Sequence, residues 1–214
     1  MRWGMRGREM DDLLSAQGLL QERADQVVAL LRLDALLNRV GKPIRVGSSA
    51  LGLMVRRDID ITVVCESLSS ETRAAFIQTG AELMSMDRHV VSVRFRNDTG
   101  AWNADPDGLY LGVSARIGEG IDWTLDIWAV DRPDRQPDLN HLRTLPPHLD
   151  DERRIRILTI KHALAATRPG SSESRIPSAY VYDAVVDDGV GSVKQFAEWL
   201  ADKKAITSLL SAML

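Results

Sequence analysis

Two aspartates lie inside an apolar run of the sequence, where an uncompensated carboxylate is costly to bury. Asp58 and Asp60 alternate with Ile59 and Ile61. Successive side chains of a β-strand point to opposite faces, so both carboxylates share one face, with Cα atoms about 6.5 to 7 Å apart. Two like charges held this close require a cation between them. The pattern therefore predicts a divalent-metal site, and Mg²⁺ prefers carboxylate oxygens supplemented by phosphate oxygens and water.

A third carboxylate occurs in a similar setting further along the chain. Asp126 lies between Leu125 and Ile127 in an apolar, strand-like segment. Asp122 lies four residues earlier on the same face, nearer a turn, and is the alternative candidate. Three carboxylates on neighbouring strands would hold two metal ions about 4 Å apart, an arrangement suited to displacement at phosphorus.

A small-residue turn precedes the two aspartates. Gly47 and Ser48 follow a short strand and begin a helical turn, where backbone N–H groups and a hydroxyl can approach phosphate oxygens. Arg56 and Arg57 directly precede the acidic strand. They are either a solvated loop pair or a contact to phosphate or acceptor, and Arg57 is our candidate for the nucleotide.

The elements that position these residues follow from periodicity and turn signals. We predict an α/β domain over residues 1–130, with an amphipathic N-terminal helix, or two joined, over residues 10–40. Its sheet is expected to be mixed, because helical crossovers serve the first strands and tight turns, such as Gly118-Glu119-Gly120, join later ones. A proline-rich linker is predicted over residues 131–150, and a small helical domain over residues 151–214.

The spacing of the site residues resembles the motif of the nucleotidyltransferase superfamily with a DNA polymerase beta-like palm. Its run is Val46-Gly47-Ser48, then nine residues, then Asp58-Ile59-Asp60-Ile61, with Asp126 matching the later third acidic residue. The resemblance covers roughly residues 40 to 130, and the helical tail is compatible with the small antibiotic-type and minimal toxin-type members. The resemblance implies a mixed-sheet palm and a metal-dependent enzyme that binds ATP or another nucleoside triphosphate.

The resemblance also implies a role for each residue of the motif. Asp58 and Asp60 would bind both the catalytic metal and the metal that escorts the triphosphate. Asp126 would ligate the catalytic metal and help to deprotonate the acceptor hydroxyl. Gly47 and Ser48 would hold the β- and γ-phosphates. Two Mg²⁺ ions, or Mn²⁺ in their place, are the implied cofactors.

A basic residue from the helical region reaches the triphosphate in several members of the superfamily, and Lys161 is the candidate here. The expected reaction moves a nucleoside monophosphate to an acceptor hydroxyl and releases pyrophosphate. We expect the acceptor to be a small molecule such as an aminoglycoside- or lincosamide-like antibiotic. The alternatives are a toxin-type enzyme acting on tRNA or protein, and a catalytically silent nucleotide-binding module.

Composition sets the broad class. The 214 residues carry a formal net charge of −3, which favours a small or cationic acceptor over RNA. The single cysteine, Cys65, excludes an intramolecular disulfide and fits a reducing compartment. No apolar run reaches the roughly 18 residues of a membrane span. We therefore expect a cytoplasmic protein that does not contact membranes, while its nucleobase and oligomeric state stay open.

Overall fold

The computed structural model describes the backbone of residues 7–100, 106–118, 122–167 and 176–213. The chain divides into two compact units. The sheet unit comprises residues 17–144, and the helical unit comprises residues 145–214 together with residues 1–16. The three candidate carboxylates all belong to the sheet unit.

The described ranges contain five β-strands and eight α-helices. The strands are β1 (Lys42–Val46), β2 (Asp58–Val64), β3 (Val90–Asn97), β4 (Leu109–Ala115) and β5 (Trp123–Val130). The helices are α1 (Gly7–Leu30), α2 (Leu33–Leu37), α3 (Gly47–Leu51), α4 (Ser70–Met84), α5 (Pro137–Thr144), α6 (Asp151–Thr167), α7 (Ser178–Val186) and α8 (Val193–Met213).

The strands form one mixed sheet in the order β1-β2-β5-β4-β3. Strands β2 and β5 are parallel, and the other three neighbouring pairs are antiparallel. A parallel pair requires a long crossover, which α4, β3 and β4 provide between β2 and β5. The predicted mixed α/β fold is thus confirmed, although residues 119 and 120 of the predicted hairpin turn lie outside the described ranges.

One face of the sheet is closed by helices. Odd-numbered residues of the central strands, such as Ile61 and Ile127, are buried on this face against residues of α1, α2 and α4. The helix residues in this core include Ala24, Val27, Leu33, Leu37, Phe76 and Leu83. Each fully buried side chain of this size contributes about 1.5–3 kcal/mol relative to exposure. Burial of the odd-numbered positions fixes the even-numbered ones, including the three aspartates, on the opposite face.

The N-terminal segment forms two helices. Helix α1 ends at Leu30 and α2 begins at Leu33, because Arg32 adopts the left-handed conformation with φ 52°. A left-handed residue interrupts the helical hydrogen bonding and changes the direction of the chain. The break allows Leu36 and Leu37 to join the same core as α1.

The segment 131–150, predicted to be a linker, contains short helices. Helix α5 begins at Pro137, and 3-10 turns cover Pro133–Arg135 and Pro146–His148. Proline is tolerated in the first turn of a helix because its missing N–H would have no helical partner there. The prolines that suggested irregular chain therefore mark the starts of short helices.

The helical unit has a core of its own. Ile157, Val181 and Phe196 are buried, and they come from α6, α7 and α8 respectively. Trp199 stacks on Phe196 with ring centroids 5.8 Å apart, and its indole N–H donates a 2.7 Å hydrogen bond to Asp188. No helix in the described ranges combines the length and the apolar character that a membrane span requires.

Candidate active site

The strand register places two of the predicted carboxylates side by side. Asp60 of β2 pairs directly with Asp126 of β5, so their Cα atoms lie about 4.8 Å apart. Asp58 pairs with Thr124, one step along the same face. All three aspartates are half-buried. The sequence-predicted carboxylates therefore lie together on one face of the two central strands.

Gly47 lies against the carboxylate of Asp60. Val46, the last residue of β1, pairs with Asp60, and Gly47 follows with φ +63°. A Cβ added to Gly47 would lie 2.3 Å from Oδ2 of Asp60. A side chain is thus disfavoured twice at this position, by the backbone conformation and by the neighbouring carboxylate. Ser48, the next residue, is half-buried in the first turn of α3.

Helix α3 is held from behind by the residue that follows Ser48. The hydroxyl of Ser49 donates a 3.3 Å hydrogen bond to the carbonyl of Val46, and the side chain of Ser49 is fully buried. The side-chain amide of Gln21 donates to the carbonyl of Ser49. These contacts fix the turn that carries Gly47 and Ser48, so its backbone position does not depend on a bound ligand.

Tyr110 of β4 holds the third carboxylate. Its hydroxyl donates a hydrogen bond to Oδ1 of Asp126. The guanidinium of Arg94 in turn donates to the Tyr110 oxygen at 3.3 Å. Burial raises the pKa of Tyr110, and its bond to Asp126 raises it further. The phenol therefore stays protonated and remains a donor to Asp126 throughout the neutral pH range.

A glycine makes room for this tyrosine. Gly112 pairs with Asp126, two residues along β4 from Tyr110. A Cβ at Gly112 would lie 2.5 Å from the Tyr110 hydroxyl oxygen. The tyrosine side chain therefore lies along its own strand, over Gly112, to reach the carboxylate of the neighbouring strand.

The three aspartates do not form a complete metal site on their own. Among the described residues, no three carboxylate, imidazole or thiolate groups converge closely enough to hold a metal ion. The donor types nevertheless suit Mg²⁺, which usually binds one or two carboxylates and takes its remaining ligands from substrate phosphates and water. The arrangement fits a metal that arrives with a phosphate-bearing ligand better than a resident ion.

The two alternatives for the third carboxylate differ in their surroundings. Asp122 precedes β5 and accepts two hydrogen bonds from Arg116, at 2.8 and 3.0 Å. The guanidinium of Arg116 holds the pKa of Asp122 below its usual range. Asp126, by contrast, lies beside Asp60. Asp122 is thus engaged in an ion pair at the end of the strand.

The predicted basic residues are placed in different parts of the molecule. Arg56 and Arg57 are half-buried and lie directly before Asp58, at the start of β2. The carbonyl of Arg57 accepts a 3.0 Å hydrogen bond from the backbone N–H of Thr124. This bond ties the chain before the acidic strand to the strand that carries Asp126.

Lys161 belongs to α6 of the helical unit. Its side chain is buried, its ammonium donates to the hydroxyl of Tyr182 at 3.5 Å, and the ammonium lies 5.6 Å from the centre of that ring. A contact between Lys161 and a triphosphate stays a prediction.

Comparisons with known proteins give the fold but no family assignment. No protein-family model and no curated protein matches the sequence. Among solved structures, the Cid1 poly(U) polymerase bound to MgATP matches with a TM-score of 0.56 and 19% identity, over 83% of this chain and 55% of that chain. A cytoplasmic RNA terminal U-transferase matches with a TM-score of 0.52 and 16% identity, over 82% of this chain and 53% of that one. The chain has a nucleotidyltransferase fold. It spans about half the length of these structural neighbours.

Several residues around the site of this nucleotidyltransferase fold were not predicted from the sequence. Tyr110, which binds Asp126, and Trp128 both occupy the aspartate face. Trp128 is half-buried there and pairs with Tyr110 across the strands. The signal was present in the predicted hairpin, because a turn centred on residue 119 pairs Gly112 with Asp126 and Tyr110 with Trp128.

Proposed function

We propose that this protein transfers a nucleoside monophosphate from a nucleoside triphosphate to an acceptor hydroxyl, with release of pyrophosphate. The observation that carries the proposal is the position of Asp60, between Asp126 on one side and Gly47 on the other. Three aspartates that would hold metal ions and a glycine turn that would hold phosphate thus lie close together on the sheet. The similarity to Cid1 structures with MgATP and with MgGTP supports a triphosphate as the donor.

Asp58, Asp60 and Asp126 would hold two Mg²⁺ or Mn²⁺ ions. Bound there, the metal ions would neutralise charge on the triphosphate and on the departing pyrophosphate. Because the described residues form no complete metal site, we propose that triphosphate oxygens and water complete the coordination. Binding of metal and nucleotide should therefore be strongly coupled.

We assign the proton and the phosphate chain to residues of the sheet unit, and one further positive charge to Lys161 of the helical unit. The acceptor oxygen forms a bond to the α-phosphorus, and the bond from that phosphorus to the bridging oxygen of the β-phosphate breaks. The proton of the acceptor passes to Oδ2 of Asp126, while Tyr110 keeps Oδ1 in place. The N–H groups of Gly47 and Ser48 and the Ser48 hydroxyl would donate to the β- and γ-phosphates. Arg57 and Lys161 are proposed to add positive charge at the triphosphate.

Two observations bear on the acceptor in opposite directions. The net charge of −3 favours a small hydroxylated or cationic molecule, such as an aminoglycoside- or lincosamide-like antibiotic. The similarity to an RNA terminal U-transferase favours RNA. The test of the reaction must therefore include both classes.

The experiment offers each α-labelled nucleoside triphosphate, with Mg²⁺ or Mn²⁺, to a panel of aminoglycosides and lincosamides, to total RNA, and to the protein itself. We expect label to appear on one acceptor class together with an equivalent amount of pyrophosphate. Asp60→Asn should lower the rate about 100-fold or more, since a metal ligand contributes several kcal/mol of charge stabilisation. The matched control Asp122→Asn removes a carboxylate that pairs with Arg116 and should leave the rate unchanged.

Two outcomes would overturn the proposal. One is triphosphate binding without pyrophosphate release for every acceptor class, which would leave a silent nucleotide-binding module. The other is transfer that survives Asp60→Asn at the full rate, because chemistry that does not need this carboxylate would not take place at the site.

A further inference from the structure

The aspartate face continues beyond Asp126 into a group of arginines and aromatic rings. The arginine–aromatic face consists of Arg94 and Arg96 on β3, Tyr110 on β4 and Trp128 on β5. The rings of Tyr110 and Trp128 lie 5.0 Å apart, centre to centre. The guanidinium of Arg96 lies 4.7 Å from the centre of the Tyr110 ring and 5.5 Å from that of Trp128. These four side chains form one continuous group, in which Tyr110 is buried, Trp128 is half-buried and the two arginines are exposed.

This surface lies in register with the candidate catalytic carboxylates. Arg94 pairs with Gly112, which pairs with Asp126, which pairs with Asp60. The Cα atoms of Arg94 and Asp126 are thus two strand spacings apart, about 10 Å. A molecule bound across the arginines would therefore reach Asp126 with its next one or two groups.

Both arginines are exposed although each has a contact within the sheet unit. Arg96 forms an ion pair with Asp98 at 2.7 Å, and Arg94 donates to the hydroxyl of Tyr110 and lies 5.4 Å from the centre of its ring. An ion pair at the surface contributes little to stability, about 0–1 kcal/mol. The contacts with the rings do more to orient the two guanidinium groups, which still present donors to solvent.

The chemistry of this surface selects a ligand. Arginines that are oriented by aromatic rings bind phosphate groups through paired N–H donors, and aromatic side chains stack with nucleobases. A polycationic acceptor would instead be repelled by the two exposed positive charges. Arg94 and Arg96 thus add positive charge to a face that also carries the carboxylates of Asp58, Asp60 and Asp126.

We propose that the arginine–aromatic face binds the 3′-terminal segment of a single-stranded nucleic acid, with its phosphates on Arg94 and Arg96 and its terminal hydroxyl beside Asp126. The inference rests on the proposed function, because it names the acceptor of that reaction. It replaces the small cationic acceptor that the net charge favours with an anionic one.

The test measures binding separately from transfer. Fluorescence anisotropy of a 5′-labelled oligoribonucleotide gives its Kd across a salt series for the full-length protein. The double variant Arg94→Gln with Arg96→Gln should weaken binding about tenfold or more, and it should reduce the slope of log K against log salt by about 1.4, the value for two phosphate contacts on a single strand. The matched control Arg39→Gln with Arg73→Gln removes two exposed arginines outside this face. Arg39 lies in the turn after α2 and pairs with Glu82, and Arg73 lies on α4. This control should change neither quantity.

A conservative variant and a blocked oligonucleotide complete the design. The double variant Arg94→Lys with Arg96→Lys keeps the charges and should retain most of the salt slope while losing affinity, since lysine lacks the planar fork of arginine. It also keeps the proposal testable if the glutamine variant fails to fold. An oligonucleotide ending in a 3′-phosphate should still bind but accept no label.

The outcomes separate this inference from the proposed function. Two results would overturn the inference and leave the transfer reaction standing. One is equal RNA binding by the wild type and the Arg94/Arg96 double variants, and the other is label that moves only to a small molecule or to protein. Binding that depends on Arg94 and Arg96 without label transfer to any acceptor would overturn the proposed function and leave the binding surface standing.

Discussion

Substitution of Gly47 by alanine tests the geometry of the candidate site most directly. Alanine at φ +63° is strained by about 1–2 kcal/mol. The new Cβ would also lie 2.3 Å from Oδ2 of Asp60, closer than atoms can approach, so the carboxylate must rotate away. A displaced side chain of this kind adds about 0.5–1.5 kcal/mol. We therefore expect Gly47→Ala to cost about 2–3 kcal/mol and to move a proposed metal ligand.

Gly118→Ala is the matched control. Gly118 has φ +74° and belongs to the same unit, but a Cβ there would meet no atom of the described residues within 4 Å. It carries the strain of about 1–2 kcal/mol without the collision. For a chain of this size, 1 kcal/mol shifts Tm by about 2–4 °C. We expect a loss of about 2–8 °C for Gly118→Ala and of about 4–12 °C for Gly47→Ala.

The decisive measurement is the rise in Tm on addition of a nucleoside triphosphate with Mg²⁺. A ligand at 100 times its Kd stabilises by about 2.7 kcal/mol, which corresponds to about 5–11 °C here. Gly118→Ala should keep this rise in full, and Gly47→Ala should lose most of it. An equal rise in both variants would refute the reasoning, because the position of Asp60 beside Gly47 would then not matter for the nucleotide.

Three further changes separate the roles of neighbouring residues. Tyr110→Phe removes the donor to Asp126 and should lower kcat about 10- to 100-fold, as expected when an outer partner of a metal ligand is lost. Because the pKa of Tyr110 is raised, its bond to Asp126 is present below the ordinary tyrosine pKa of about 10 and is lost only as pH rises through the higher folded value. The ratio of the wild-type rate to the variant rate should therefore be constant from pH 6 to 9 in a pH–rate profile. Asp126→Asn should abolish transfer, whereas Asp122→Asn breaks only the pair with Arg116 and should leave transfer intact. Equal losses of transfer rate in the two variants would count against Asp126 as the third carboxylate. If the ammonium of Lys161 contacts phosphate, Lys161→Met should raise the KM for the triphosphate about tenfold, because one charged hydrogen bond is lost, and should change Tm little. An unchanged KM would leave the buried Lys161 a structural residue of the helical unit.

The central part of the fold could be predicted because its signals are local. The alternation of aspartate and isoleucine in β2 requires one polar and one buried face, and the structure buries Ile59 and Ile61 as expected. Ser69 is a residue type that favours helix N-caps, and it accepts a 3.2 Å hydrogen bond from the N–H of Thr72 at the start of α4. Patterns of this kind depend on a few consecutive residues, so a single sequence contains them in full.

The residues that the sequence did not reveal depend on contacts between distant segments. Arg94 lies 32 positions before Asp126 in the numbering, and only the order β5-β4-β3 brings it to the same face. Trp128 lies two residues after Asp126, so the alternation within β5 already gives its face, but only the strand pairing brings Tyr110 beside it. The register of a neighbouring strand decides which face a side chain occupies, and a periodicity within one strand does not give that register.

The same distinction explains how a chain with a net charge of −3 can carry the surface that we propose for nucleic acid. Net charge sums over the whole surface, and helices facing away from the site contribute to it as much as the sheet does. Recognition depends on the charges within about one Debye length, about 8–10 Å, of the reacting atoms. Within that range Asp126 has the carboxylate of Asp60 in the neighbouring strand and Arg94 two strands away, and Arg96 lies two residues further along β3. Their guanidinium groups are exposed where an acceptor would approach, and this local arrangement is the stronger guide to what the acceptor is.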